Sequence, residues 1–246
     1  MTPAALVGIA GYTGQELARF ITQHPHLELV AAFGSSSSTG RPIAEAAPAL
    51  RGVVQGHIGP GDAASILDSG AEVVFLATPH EASAELAPSL LNEGRTVVDL
   101  SAAFRLSHAS HYPAFYGFEH PSPELLERAV YGLPERYRAQ LAGASLIAAP
   151  GCYPTSVILP VAPLVDAGLL AADRSVIIDS TSGVSGAGRK ASERTGFCEV
   201  SQSPYAVFTH RHGPEIDQYC GAGAIFTPHL GPYDRGICST IHAELA

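Results

Sequence analysis

The sequence predicts an α/β protein: a doubly wound parallel sheet over residues 1–150, then an α+β domain over residues 151–246. Three observations predict it. Short apolar runs without alternation, at residues 4–10, 27–33, 72–77, 96–100 and 146–149, read as strands buried on both faces. Segments with helical periodicity lie between them, the pattern of a parallel sheet covered by helices. Beyond residue 150 the texture changes to strands separated by long glycine-rich stretches. A chain of 246 residues is one large or two modest domains at about 100–200 residues each. With 46% hydrophobic and 15% charged residues it can bury a core, which excludes disorder.

The elements follow in order. The first strand, 4–10, runs into a glycine turn, Gly8-Ile-Ala-Gly-Tyr-Thr-Gly14. A helix follows with Leu17, Phe20, Ile21 and His24 at i, i+3, i+4 and i+7, ending at Pro25. The second strand, 27–33, closes at Gly34 and a polar run through Gly40. Strand, glycine turn, helix and strand in about 30 residues make a βαβ unit. Strands 72–77 and 96–100 flank a helix ending near Gly94. Residues 107–145, rich in Pro, Tyr and His, read as loops with one helix near 123–129. After the strand at 146–149 comes Pro150-Gly-Cys-Tyr-Pro154, then an apolar helix over 155–169 interrupted by Pro160 and Pro163. Strands are expected at 175–180, 223–230 and 236–246, with a glycine-rich loop at 183–188. In the last strand Ile237, Ser239, Ile241, Ala243 and Leu245 share one face. The chain stops inside that strand, and an unfinished edge invites association. The sequence is therefore expected to be a truncated form of a longer protein.

Composition narrows the function. A formal charge of −9 with no basic cluster excludes a nucleic-acid partner and an anionic membrane surface. No apolar run reaches the ~18 residues of a membrane span, and no basic region precedes the apolar start as an export signal would require. The expected location is the cytoplasm, where thiols stay reduced. Cys152, Cys198, Cys220 and Cys238 form no C-x-x-C pair, which argues against a zinc ribbon or redox dithiol, and no metal is expected.

Gly8, Gly11, Tyr12, Thr13 and Gly14 lie where a strand turns into a helix. Glycine lets backbone approach a diphosphate, and a helix N-terminus offers N–H groups to it. The spacing is G-x-x-G-x-x-G, so the choice is between a dinucleotide cradle of a Rossmann-like domain and a structural βα turn; the strand–turn–helix context favours the cradle. At the end of the second strand an NAD site usually carries a carboxylate for the ribose 2′-OH. Ser35, Ser36, Ser37, Ser38 and Arg41 stand there instead, a set suited to the 2′-phosphate of NADP.

Cys152 sits at a strand-to-helix junction, where the helix dipole favours thiolate, so it is the candidate nucleophile. Cys220 and Cys238 read as small buried hydrophobes. Thr209-His-Arg-His-Gly-Pro-Glu215 supplies candidate bases, His210 and His212, and a charge. A metal site on the two histidines ranks below acid–base chemistry, because no third ligand is near in sequence. The loop Gly183-Val-Ser-Gly-Ala-Gly188, followed by Arg189-Lys190, suits a phosphate or the nicotinamide half of a cofactor as well as a plain flexible turn. Arg105, in Asp99-Leu-Ser-Ala-Ala-Phe-Arg105, falls just past a strand end, where open α/β sheets bind ligands. In an acidic protein, Arg105 and Lys190 are the cations expected to meet an anionic substrate.

These blocks, in this order, resemble the N-acetyl-gamma-glutamyl-phosphate reductases, the arginine-biosynthesis relatives of aspartate-semialdehyde dehydrogenase. Pro150-Gly-Cys-Tyr-Pro-Thr155 and the His210-Arg-His212 block through Ile216 carry the resemblance most specifically. It implies NADPH-dependent reduction of N-acetylglutamyl 5-phosphate to the semialdehyde, with phosphate released. It implies a thioester on Cys152, hydride delivery to that thioester, and proton handling by His212, with His210 second. Ser185, Gly186, Ala187 and Gly188 become cofactor contacts, and Arg105, Ser101 and Lys190 substrate contacts. It also implies a catalytic and dimerisation domain over 151–246 that lacks its C-terminal part, and a homo-oligomer. A reductase of aspartyl or carrier-linked aminoadipyl phosphate, and an inactive nucleotide-binding fragment, are the alternatives.

Overall fold

The computed structural model describes residues 1–246. The chain folds into two compact units, Met1–Ala109 with His120–Ala149, and Ser110–Glu119 with Pro150–Ala246.

The first unit is built on β1 (Thr2–Val7), α1 (Tyr12–Gln23), β2 (Leu27–Gly34), α2 (Ile43–Ala46), β3 (Gly59–Pro60), α3 (Ala63–Asp68), β4 (Val73–Leu76), α4 (His80–Asn92) and β5 (Thr96–Asp99). After α5 (His111–Tyr116), which belongs to the second unit, it continues with β6 (Val130–Tyr131), α6 (Pro134–Leu141) and β7 (Leu146–Ala148). The seven strands pair in the order β3-β2-β1-β4-β5-β7-β6, every pair parallel. This is the doubly wound α/β sheet the sequence predicts. The order reverses between β1 and β4, so their C-terminal ends form the topological switch point where such sheets bind ligands. Ala4, Ala5, Leu6 and Val7 are all buried, as a strand covered on both faces requires.

Helix α1 presents a different face from the expected one. Gly14, Gln15, Ala18 and Ile21 point inward, while Phe20 is 70% exposed and His24 is exposed. Small residues bring the helix axis close to the sheet, and that close approach leaves no inward position for the Phe20 ring. Around Pro123–Leu125 there is a single 3₁₀ turn in place of a longer helix. Helices α5 and α6 occupy the stretch read as loops.

The second unit contains α5, α7 (Cys152–Asp166), β8 (Val176–Ser182), β9 (Ser203–Pro204), α8 (Gly213–Cys220), β10 (Ala224–Leu230) and β11 (Ile237–His242). Its sheet runs β11-β8-β10-β9, with β8 and β10 parallel and the two outer strands antiparallel to them. Tyr153, Val157 and Val161 of α7 and Ile216 and Cys220 of α8 pack with Val176, Ile178 and Phe226 of the sheet. Helix α7 begins at Cys152 and runs unbroken through Pro160 and Pro163. Both prolines lie on its exposed side, where a displaced backbone carbonyl can turn to water. In β11, Ile237, Ser239 and Ile241 are the more buried face, as the alternation predicts. Cys238 is exposed, not the buried hydrophobe expected, because it falls on the other face of that strand.

The glycine turn has little tolerance for side chains. Gly8 has φ +94°, and a Cβ there would strike the Ala77 carbonyl at the end of β4. A Cβ on Gly14 would overlap the Gly8 carbonyl oxygen. Alanine for glycine inside a helix ordinarily stabilises by about 0.5–1 kcal/mol. Here the sign reverses: Gly14→Ala is expected to destabilise by at least about 1 kcal/mol, read as a lower denaturant midpoint.

Candidate active site

In the first unit Gly8, Gly11, Tyr12, Thr13 and Gly14 lie at the turn from β1 into α1, the strand–turn–helix setting that the sequence predicts. Helix α1 starts after Gly11 with no side-chain cap and no acidic residue in its first turn. Its first N–H groups have no intrahelical acceptor. The turn is held by the Gln15 amide, which donates to the Ala10 carbonyl at 3.0 Å, and by Gly11 N–H on the Gly8 carbonyl at 3.1 Å. Tyr12 is partly exposed and Thr13 exposed at the helix start. At the end of β2, Ser35, Ser36, Ser37 and Arg41 are exposed. Ser38 is turned in, its hydroxyl donating to the Ser35 carbonyl at 3.0 Å, so it shapes the turn. Gly34 makes room for it, since a Cβ there would meet the Ser38 hydroxyl. The open glycine cradle and the hydroxyl-rich turn without a carboxylate fit a dinucleotide carrying a 2′-phosphate.

Asp99, Ser101 and Arg105 also lie in this unit. Ser101 donates its N–H and hydroxyl to the two Asp99 carboxylate oxygens at 3.0 and 2.8 Å. Burial pushes the Asp99 carboxyl up from its ordinary value, against those two hydrogen bonds and the nearby Arg105 charge. Arg105 is only 6% exposed, and its Nε and Nη2 donate to the Ala149 and Leu100 carbonyls at 2.7 and 2.9 Å. Those bonds tie the ends of β5 and β7 together.

The second unit holds a cavity of about 370 Å³ lined by Cys152, His210, Arg211, His212, Arg194 and Tyr205, with Gly186 and Ala187 at its edge. Cys152 is exposed and is the first residue of α7, at the positive end of the helix dipole. Pro154 falls within the same first turn, where a missing N–H costs no helical bond. Gly151 fixes the junction. Its N–H donates to Glu215 Oε1 at 2.8 Å, and its carbonyl accepts from the Thr155 N–H and hydroxyl at 2.9 and 2.8 Å. Glu215 is 0% exposed, on the first turn of α8 directly after the His212 cap. One buried carboxylate thus couples the cysteine-bearing helix to the histidine-bearing one.

The two imidazoles differ. His210 and His212 have ring centroids 4.9 Å apart, and both stack edge-on against Tyr153, at 5.4 and 5.9 Å. The His212 N–H donates to His210 Nδ1 at 3.1 Å, so neutral His210 carries its proton on Nε2. Burial holds His210 well below its ordinary value, at about 4, and the Arg211 charge pushes the same way. His212 is the more buried, at 6% exposure. The loop before them is strained, with Ala206 at φ +46° and Phe208 at φ +60°. Tyr153 donates its hydroxyl proton to the His229 carbonyl at 3.0 Å, which leaves Tyr205 as donor in their 3.1 Å contact. Burial raises both phenols.

Of the predicted residues, this cavity brings together Cys152, His210, His212, Gly186 and Ala187. Ser185, Gly188 and Lys190 are outside its lining, and the Ser185 N–H donates to the Asp234 carbonyl at 2.9 Å. No group of three or more His, Cys, Asp or Glu side chains converges as a metal site. Sequence reasoning missed Tyr205, Arg194 and the anchoring role of Glu215. The one signal for the last was a carboxylate in the first turn of a helix opened by proline.

Residues 3–144 match the family described as semialdehyde dehydrogenase, NAD binding domain, and residues 152–246 match its dimerisation domain. Over the whole chain, 49% of residues are identical to the N-acetyl-gamma-glutamyl-phosphate reductases of Shigella flexneri and Escherichia coli K12, and the match spans 74% of each relative. The chain belongs to the N-acetyl-gamma-glutamyl-phosphate reductase family. Family membership makes it an oxidoreductase of amino-acid biosynthesis with a nicotinamide-dinucleotide domain. The fold is shared with aspartate-semialdehyde dehydrogenases. One from Candida albicans, solved with NADP, aligns over 99% of this chain and 71% of its own at TM-score 0.71 and 14% identity. One from Vibrio cholerae aligns over 100% and 74% at TM-score 0.69 and 15% identity. No helix is long and apolar enough to cross a membrane.

Two predictions follow from this family site. In Glu215→Ala the Gly151 N–H loses its partner inside the protein, at a cost of about 1–3 kcal/mol. Alkylation of Cys152 by iodoacetamide is expected to slow in that variant and to be largely restored in Glu215→Gln, whose amide oxygen can still accept. For His210, the unfolded side chain takes up its proton near 6.5 and the folded one near 4. The unfolded state binds more protons in that window, so stability falls as pH drops through it. Denaturant titrations across the window are expected to show a flatter slope for His210→Gln.

Proposed function

We propose that the chain reduces N-acetyl-L-glutamyl 5-phosphate to N-acetyl-L-glutamate 5-semialdehyde with NADPH, releasing phosphate, as a step of arginine biosynthesis. The observation that carries this is an exposed cysteine on the first turn of a helix, sharing one cavity with two histidines. The name of the 49% identical relatives and the glycine cradle with its carboxylate-free serine turn support substrate and cofactor.

In this reading His212 takes the Cys152 thiol proton as sulfur attacks the acyl carbon. The C–S bond forms, the carbon–oxygen bond to phosphate breaks, and the phosphate leaves with a proton from solvent. NADPH, when bound, supplies a hydride to the thioester carbon. His212 then gives its proton to the tetrahedral oxyanion. It takes that proton back as the C–S electron pair returns to sulfur and the aldehyde departs. His210, neutral with its proton on Nε2, donates a hydrogen bond to the developing oxyanion. Gly8, Gly11, Tyr12, Thr13 and Gly14 hold the diphosphate, and Ser35, Ser36, Ser37 and Arg41 the 2′-phosphate, with Ser38 shaping the turn. The reading includes a cytoplasmic homo-oligomer formed through the second unit, whose family is described as a dimerisation domain and whose β11 is a sheet edge.

The test is phosphate-dependent reduction of NADP with N-acetylglutamate semialdehyde. Cys152→Ser is expected to lose at least about 10³-fold in turnover. Calorimetry is expected to show NADP binding retained. Unchanged turnover in that variant would falsify the covalent route.

A further inference from the structure

We infer that Arg194 and Arg211 form the oxyanion subsite of the Cys152 cavity, receiving the carboxylate or the phosphoryl group of the substrate. The inference rests on the reaction proposed above for the identity of that group. The chain as a whole carries a formal charge of −9, yet no Asp or Glu lines this cavity. Its only permanent charges are the two guanidinium groups.

Each arginine is placed by a separate device. The Arg194 guanidinium carbon lies 4.5 Å from the Tyr205 ring centroid, and the Tyr205 hydroxyl is held 3.1 Å from that of Tyr153, the residue after the nucleophile. Stacking on an aromatic face leaves the edge N–H groups of a guanidinium free to point at an anion. Arg211 stands between His210 and His212, and its backbone carbonyl accepts a hydrogen bond from the Tyr116 hydroxyl at 3.0 Å. Both charges act on the Tyr205 phenol, and Arg211 also acts on His210, so the pair bears on the groups around the sulfur. Arg105 spends two donors on carbonyls of the first unit, and Lys190 is outside the cavity lining. The proposed substrate carries an anionic group on each side of the attacked carbonyl, its phosphate and its α-carboxylate. A planar cation that bonds such a group through two N–H donors supplies both charge and direction.

The experiment uses the full chain, with Arg194→Ala and Arg211→Ala, and Arg→Gln variants if either fails to fold. Alkylation of Cys152 by iodoacetamide is followed by peptide mass spectrometry, with inorganic phosphate or N-acetylglutamate as protectant. Protection is expected in the parent protein, and the half-protecting concentration is expected to rise at least about tenfold in each variant, the scale of one charge-assisted hydrogen bond. A rise for phosphate assigns the phosphoryl group to that arginine; a rise for N-acetylglutamate assigns the carboxylate. The same split should appear between the KM for phosphate and the KM for semialdehyde in the reverse assay. Absence of protection in the parent, or unchanged half-protection in both variants, overturns the subsite. If the parent protects but does not turn over, the subsite stands and the reaction assignment falls.

Discussion

The bond from the Gly151 N–H to the buried Glu215 carboxylate is the constraint on which the second unit's chemistry depends. Without it, α7 and α8 would be two helices packed by apolar contacts that tolerate small slides. With it, the residue before Cys152 and the residue three beyond His212 share one hydrogen bond of 2.8 Å. The Gly151 carbonyl is fixed in turn by Thr155. The two peptide planes that flank the Gly151 Cα are thus each held by hydrogen bonds, which fixes the backbone dihedrals of Gly151 and the direction in which α7 starts. Cys152, the proposed nucleophile, can then be exposed without being loose, because its backbone is held while its side chain lines the cavity.

The first unit solves a different problem by subtraction. At the switch point of its sheet, Gly8 meets the Ala77 carbonyl and Gly14 meets the Gly8 carbonyl, with no space for a Cβ at either. Close packing of strand end, turn and helix start brings the uncapped start of α1 against the ends of β1 and β4. The same crowding occurs at Gly34, which admits the inward Ser38 and thereby pushes Ser35, Ser36 and Ser37 outward. In the proposed cofactor site, anion binding thus rests on backbone geometry more than on charge, which suits a chain with few basic residues.

Much of this was legible in the sequence because strong local signals carried it. Apolar runs marked β1, β2, β4, β5 and β7, and glycine spacing marked the turn between β1 and α1. What the sequence did not carry was compensation at a distance. Phe20 fits the helical period, yet Gly14 and Ala18 decide which face packs. Pro160 and Pro163 read as breaks, yet both fall on the solvent side of α7, where the helix absorbs them. The short α5 and α6 have no long periodic stripe to betray them. Arg105 was marked by its place past a strand end. It also donates to carbonyls at positions 100 and 149, a pairing that no local pattern encodes.

The electrostatics of the cavity follow from the same division between backbone and side chain. His210 is kept neutral by burial and by the charge of its neighbour Arg211, while its Nδ1 is occupied by the His212 N–H. A histidine in that state cannot serve as the base near neutrality through Nδ1, but it can donate from Nε2 without ever becoming charged. In the proposed mechanism proton transfer is therefore given to His212, and the two imidazoles cease to be interchangeable members of a His-Arg-His triplet. The arginine between them thus does two things at once: it suppresses charge on one imidazole and presents charge to an anion. In that proposal three side chains of one short segment divide donor, base and anion receptor among themselves.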